Sequence, residues 1–182
     1  MKRFGTAAAI ALMLAGCATS EGRRGGGGGV AGGIDVNRTH LGQQLARAQI
    51  AVEPVNAADR NNPEFQAFAD AVERQLVRQG YTIAANRPAS EQIARVTVTQ
   101  GSRAALTTGW PAGLGRGSGQ ANLVATLLDV RIQRRSDGTV FWQGRAVAES
   151  AAGTPRAAIV ERLAEALFRD FPGESGRTIR VR

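Results

Sequence analysis

The sequence predicts an α+β fold, with one antiparallel-rich sheet of about four to five strands and two helices packed on one face, in the order β-α-β-β-β-α. Three observations carry the prediction. Two segments keep apolar residues at helical spacing behind an Asn-Pro or Thr-Pro start. Several short segments alternate apolar and polar residues, as half-buried strands do. The two longest of these flank Ser136-Asp137-Gly138, and Asp-Gly supplies the positive φ that a hairpin turn needs.

Taken in order, Leu45 to Val52 alternates Ala46, Ala48, Ile50 and Val52 with Arg47, Gln49 and Ala51, a strand that Pro54 ends. Asn62-Pro63-Glu64 then opens a helix with a capping side chain, a proline at the first helical position and an acid in the first turn. Phe65, Phe68, Ala69, Val72 and Leu76 form its apolar stripe, and Gly80 ends it. Tyr81 to Ala85 is a short strand candidate, and Ala94, Val96 and Val98 alternate with Arg95, Thr97 and Thr99 in a further one.

Leu123 to Arg134 and Val140 to Ala148 form the hairpin. Leu123, Val124 and Ala125 make its start apolar on both faces, which predicts that this end is covered. Thr154-Pro155 opens the second helix, whose stripe is Ile159, Val160, Leu163, Leu167 and Phe171, with Pro172-Gly173 stopping it. Thr178 to Arg182 alternates and can add an edge strand, whose arginines discourage pairing with another chain.

Between the strands, residues 101–120 (GSRAALTTGWPAGLGRGSGQ) hold six glycines and no periodicity. A loop this long inside a compact domain is either functional or mobile. Gly113, Gly115, Gly117 and Gly119 fall on every second residue, the wrong spacing for a dinucleotide-binding fingerprint. Arg116 stands where the first glycine of a Ser-nucleophile elbow around Ser118 belongs. Trp110 and Arg116 are the candidate partner contacts, with folding of Trp110 back onto the core as the competing reading.

The N-terminal stretch tells where the protein works. Lys2-Arg3, an apolar run from Ala7 to Met13 and the small-residue ending Leu14-Ala15-Gly16-Cys17 describe a secretory signal cut before the single cysteine. The run is shorter than the ~20 residues that a spanning helix needs. Leu14-Ala15-Gly16-Cys17 resembles the lipobox of bacterial lipoproteins, which implies residues 1–16 as signal peptide and an acylated Cys17 as the first mature residue and membrane anchor. Ala18 in place of an aspartate implies transport to the outer membrane, facing the periplasm.

Residues 17–44, with five consecutive glycines from Gly25 to Gly29, read as a tether, and 45–182 as a single domain. His40, the only histidine, falls in the tether and has no placed partner there.

Composition excludes more than it assigns. Losing residues 1–16 removes two cations and no acid, so the formal charge falls from +8 to +6. Such a surface suits anionic lipid headgroups or acidic polysaccharide, and export argues against nucleic acid. With no cysteine after Cys17, no disulfide framework is available. The domain offers neither His nor Cys for a catalytic or metal site, and no enzyme, metal or other cofactor is expected.

Ile50-Ala51-Val52-Glu53-Pro54, Gln79-Gly80-Tyr81, Arg131-Ile132, Ser136-Asp137-Gly138 and Phe171-Pro172-Gly173, behind a lipobox, resemble a family of small bacterial lipoprotein domains without an assigned activity. That family is related in outline to auxiliary lipoproteins of envelope transport. Arg95 departs from its pattern, standing where an acidic residue is expected. The function expected is that of a non-catalytic envelope lipoprotein that binds a protein partner through its Gly-rich loop or sheet edge. The alternative is a lipid- or glycan-binding module using a groove between helices and sheet with arginines at its mouth.

Overall fold

The computed structural model describes residues 29–42, 45–115, 117 and 122–182. Its strands are β1 (Val30–His40), β2 (Gln49–Pro54), β3 (Thr82–Ile83), β4 (Gln92–Gly101), β5 (Leu123–Arg134), β6 (Val140–Ala151) and β7 (Thr178–Val181). The helices are α1 (Pro63–Arg78), the single turn α2 (Arg103–Leu106) and α3 (Arg156–Phe168). The seven strands form one mixed sheet in the order β3-β2-β4-β5-β6-β1-β7. β2 runs parallel to β3 and β4, and the other pairs are antiparallel.

This corrects the predicted fold class. The sheet has seven strands rather than four or five, there are three helices rather than two, and the simple β-α-β-β-β-α order fails. The largest error is β1, because residues 30–40 belong to the sheet and not to a tether. β1 inserts between the hairpin strand β6 and the C-terminal β7, so β7 has a place in the sheet only because β1 is there. The long helices do share one face of the sheet, as their stripes require.

Capping chemistry explains the helix starts. The Asn62 side chain accepts from Glu64 N–H at 2.9 Å and Pro63 follows, as the sequence predicts for α1. At α3 the expected cap does not form, since Thr154 Oγ1 donates back to Ala151 O at 2.8 Å. α3 also ends before Phe171, which nonetheless stays in the aromatic cluster with its centroid 5.1 Å from Trp142 and 5.6 Å from Phe168.

Strand alternation sends Ile50, Val52, Ala94, Val96, Leu128, Val130, Ile132, Trp142 and Ala146 to the helix-covered face. There they meet Phe65, Phe68, Val72 and Leu76 of α1 and Ile159, Leu163, Leu167 and Phe168 of α3. Trp142 is fully buried and its Nε1–H donates to Pro172 O at 2.9 Å. Gly144 leaves the space that this indole fills, because a Cβ there would lie 2.2 Å from Trp142 Cη2.

The opposite face carries a smaller second core. Ala125, Leu127 and Val147 point away from the long helices and are covered by Leu106, Trp110 and Leu114. The hairpin end predicted to be covered is covered, and the Gly-rich loop is what covers it.

Candidate functional site

The residues singled out from sequence separate into two groups. Leu14, Ala15, Gly16, Cys17 and Arg116 lie outside the described residues. Trp110 is described and is only 9% exposed, packed against Ala125 and Val147 with the Arg145 guanidinium 5.0 Å from its ring centroid. It is a roof element of the second core, and this location is no basis for a direct partner contact.

What holds the loop down is a buried carboxylate. Asp35 of β1 is fully buried, pairs with Arg103 of α2, and accepts from Gly115 N–H at 3.2 Å. Arg180 of β7 approaches its other oxygen at 3.6 Å. Burial pushes the Arg103 pKa down, an effect opposed by the facing Glu149 carboxylate. The cluster ties the loop to β1 and β7.

Two further expectations resolve locally. His40 closes β1, where its Nδ1 accepts from Gly42 N–H at 3.1 Å. That leaves Nε2–H to donate to Gly173 O at 3.0 Å, so both ring nitrogens serve backbone contacts. Arg95 donates to Pro54 O at 2.9 Å and lies 3.5 Å from Glu53, which Arg135 also binds at 2.6 Å. Among the described residues no group of three or more His, Cys, Asp or Glu comes together as a metal site, and no helix is long and apolar enough to cross a membrane.

A recess lies elsewhere, where β1, β7 and α3 meet. Between Ala31, opposite Glu149, and Asp35, opposite Val147, β1 spends three residues against one of β6. This bulge carries Gly32 and Gly33 at φ of 78° and 96°, off the regular ladder. A Cβ on Gly33 would lie 3.1 Å from Val181 O, so glycine lets β7 come close beneath it.

The space left between the bulge and α3 is a cavity of about 420 Å³. Val30, Ile34, Ala166 and Val181 give it an apolar lining. Arg162, Glu165, Arg169 and Arg182 also line it, and all four are exposed. The three arginine side chains make no ion pair or hydrogen bond among the described residues. Sequence reasoning expected arginines at the mouth of a groove between helices and sheet but did not single these out, because Arg162 and Arg169 lie on the wet side of an ordinary amphipathic helix; the available signal was the spacing of 162, 165 and 169 over two turns of one face.

No protein-family model matches the chain. An uncharacterised protein of Zymomonas mobilis subsp. mobilis is 40% identical over 81 residues, which cover 42% of this chain and 30% of that protein's length. The chain therefore spans under a third of the curated relative it matches.

Among solved structures, a PDZ domain protein from Parabacteroides distasonis is similar at a TM-score of 0.52 and 10% identity, over 81% of this chain and 39% of that one. The PelC dodecamer from Paraburkholderia phytofirmans gives a TM-score of 0.44 at 12% identity, over 74% of this chain and 94% of that one. A DUF4136 family protein from Bacteroides thetaiotaomicron gives 0.45 at 11% identity, over 78% and 97%. The likeness to the Parabacteroides structure is one of fold alone.

Proposed function

We propose that the protein is a non-catalytic binding module of the bacterial envelope, anchored through an acylated Cys17 to the outer membrane and facing the periplasm. Its binding face is the side of the domain made by β7, the β1 bulge and α3. The observation that carries this is the cavity of about 420 Å³ opening there, with an apolar floor and three arginines that have no ion-pair partner among the described residues. A pocket of that size with a few convergent charged groups is the usual form of a ligand site.

A protein partner is accommodated on the same side. β7 is the last strand of the sheet, and although its arginines disfavour strand addition, the side chains at this edge can meet a partner surface. This moves the expected partner contact from the Gly-rich loop, which folds onto the sheet, to residues 178–182. Site-specific crosslinkers at Ile179 and Arg182 in intact cells should capture an envelope protein, whereas crosslinkers at Arg60 on the far side should not. Equal capture from both places would remove β7 as the face.

Anchoring has its own test. Cys17→Ser should release the protein into the periplasm or stall it as precursor. Continued full sedimentation of that variant with outer membranes would refute the lipobox reading.

A further inference from the structure

We infer that the cavity between the β1 bulge and α3 is a binding site for a phosphate-bearing amphiphile, with the apolar part on its floor and the phosphate among Arg162, Arg169 and Arg182. The inference rests on the reading of this side as the binding face and adds the ligand class.

Charge decides the anion. Three guanidiniums against the single Glu165 side-chain carboxylate make the mouth net positive. A phosphate monoester carries about −1.5 to −2 charges at pH 7, so it gains more from that field than a singly charged carboxylate. Guanidinium is also the donor best suited to phosphate oxygens, because its planar fork can meet two of them at once.

Elsewhere on the domain most arginines are answered from within. Arg74, Arg87, Arg95, Arg103, Arg135 and Arg156 each pair with a carboxylate, while Arg47 and Arg60, which have no ion pair among the described residues, stand singly. Three unanswered arginines around one recess stand out against that background.

The helix terminus does not oppose an anion here as it ordinarily would. The C-terminal end of a helix is partially negative. At α3, however, the buried Arg38 donates to Ala166 O at 3.1 Å and to Leu167 O at 2.8 Å. These bonds take up carbonyl oxygens beside the cavity, and they bring a fourth cation to that end of the helix.

The floor favours an apolar component modestly. Ile34, Ala166 and Val181 are already largely buried and Val30 is half-buried, so the apolar surface left at the recess is small, and those side chains offer it no donor or acceptor. A ligand with a short hydrocarbon portion buries that surface while its headgroup stays at the mouth. Val30 is also where the chain enters the domain from the proposed anchor at Cys17. Twelve residues lie between the two in sequence, a separation that even a fully extended chain could not stretch beyond roughly 45 Å.

The test uses the full chain with Cys17→Ser, so its outcome is independent of acylation. Titration calorimetry with dihexanoyl phosphatidic acid below its micellar concentration should give one saturable site. Its affinity should exceed that for dihexanoyl phosphatidylcholine, and that for inorganic phosphate, by about tenfold or more. R162Q/R169Q/R182Q should erase the preference without changing the melting temperature. R47Q/R60Q/R131Q, equal in charge and away from the cavity, should keep it. Equal binding of the two lipids, or equal loss in both triple variants, would overturn the proposal. Binding to phosphatidylglycerol vesicles with none of the monomeric lipid would overturn the cavity as the seat, leaving only a basic surface.

Discussion

Replacing Trp110 by alanine tests whether the Gly-rich loop is a structural roof. A buried tryptophan removes about 150–250 Å² from water, worth about 4–6 kcal/mol at 25 cal/mol per Å². Compactness of the unfolded chain lowers that by roughly 10–40%. The Arg145 guanidinium, 5.0 Å from the ring centroid, adds about 0.5–1 kcal/mol.

One term runs the other way. The indole Nε1 is buried without a hydrogen-bond partner among the described residues, and deleting it returns about 1–3 kcal/mol of desolvation. The balance is a loss of about 3 kcal/mol, at the low end for deleting a buried tryptophan. Urea unfolding followed by far-UV circular dichroism measures it, with an unchanged m-value expected because the fold is retained. Trp110→Phe keeps most of the contact and removes the unpaired N–H, so it should cost under about 1.5 kcal/mol. A loss below about 0.5 kcal/mol for Trp110→Ala would mean that the loop does not seal the sheet, and would reopen it as a partner-binding segment.

Gly144→Ala should cost about 1–3 kcal/mol by overpacking, since the new Cβ would lie 2.2 Å from Trp142 Cη2 and 2.7 Å from Leu167 Cδ1. A neutral effect in the same urea assay would show that the aromatic cluster can shift. Asp35→Ala leaves the half-buried Arg103 without its carboxylate and should cost about 3–5 kcal/mol, read as a lower urea midpoint. The single Tyr81 has its pKa pushed up to about 12, chiefly by burial and opposed by Arg47. Its folded value exceeds the unfolded value of about 10, so its contribution to stability is complete below pH ~10 and lost as pH rises towards 12. The 295 nm absorbance of the folded protein should therefore rise near pH 12, and a midpoint near 10 would contradict the buried phenol.

Both long helices and the hairpin were legible because each is specified locally. Asn62-Pro63 caps and starts α1, Asp137-Gly138 turns the hairpin, and the stripes of α1 and α3 repeat at helical spacing. The double-sided apolar start of β5 also signalled its cover correctly. Alternation in β1 was present but hidden. From Ile34 to Arg38 its buried positions include Asp35, Asn37 and Arg38, residue types that ordinarily mark a solvated segment. Gly32-Gly33 just before them imitates the end of a tether.

By itself the sequence determined where helices start and stop, where the hairpin turns and which faces are apolar, because those depend on neighbours within a few residues. Only the tertiary structure decided that Asp35 can be buried, since its partners Arg103, Gly115 and Arg180 stand 68, 80 and 145 residues away along the chain. It also decided that the glycine-rich loop is a roof, because glycines carry no pattern that points to the face they will cover. The cavity belongs to the same class: Val30, Arg162, Arg169 and Arg182 are unremarkable in sequence, and become one site only when β1 inserts beside β7 under α3.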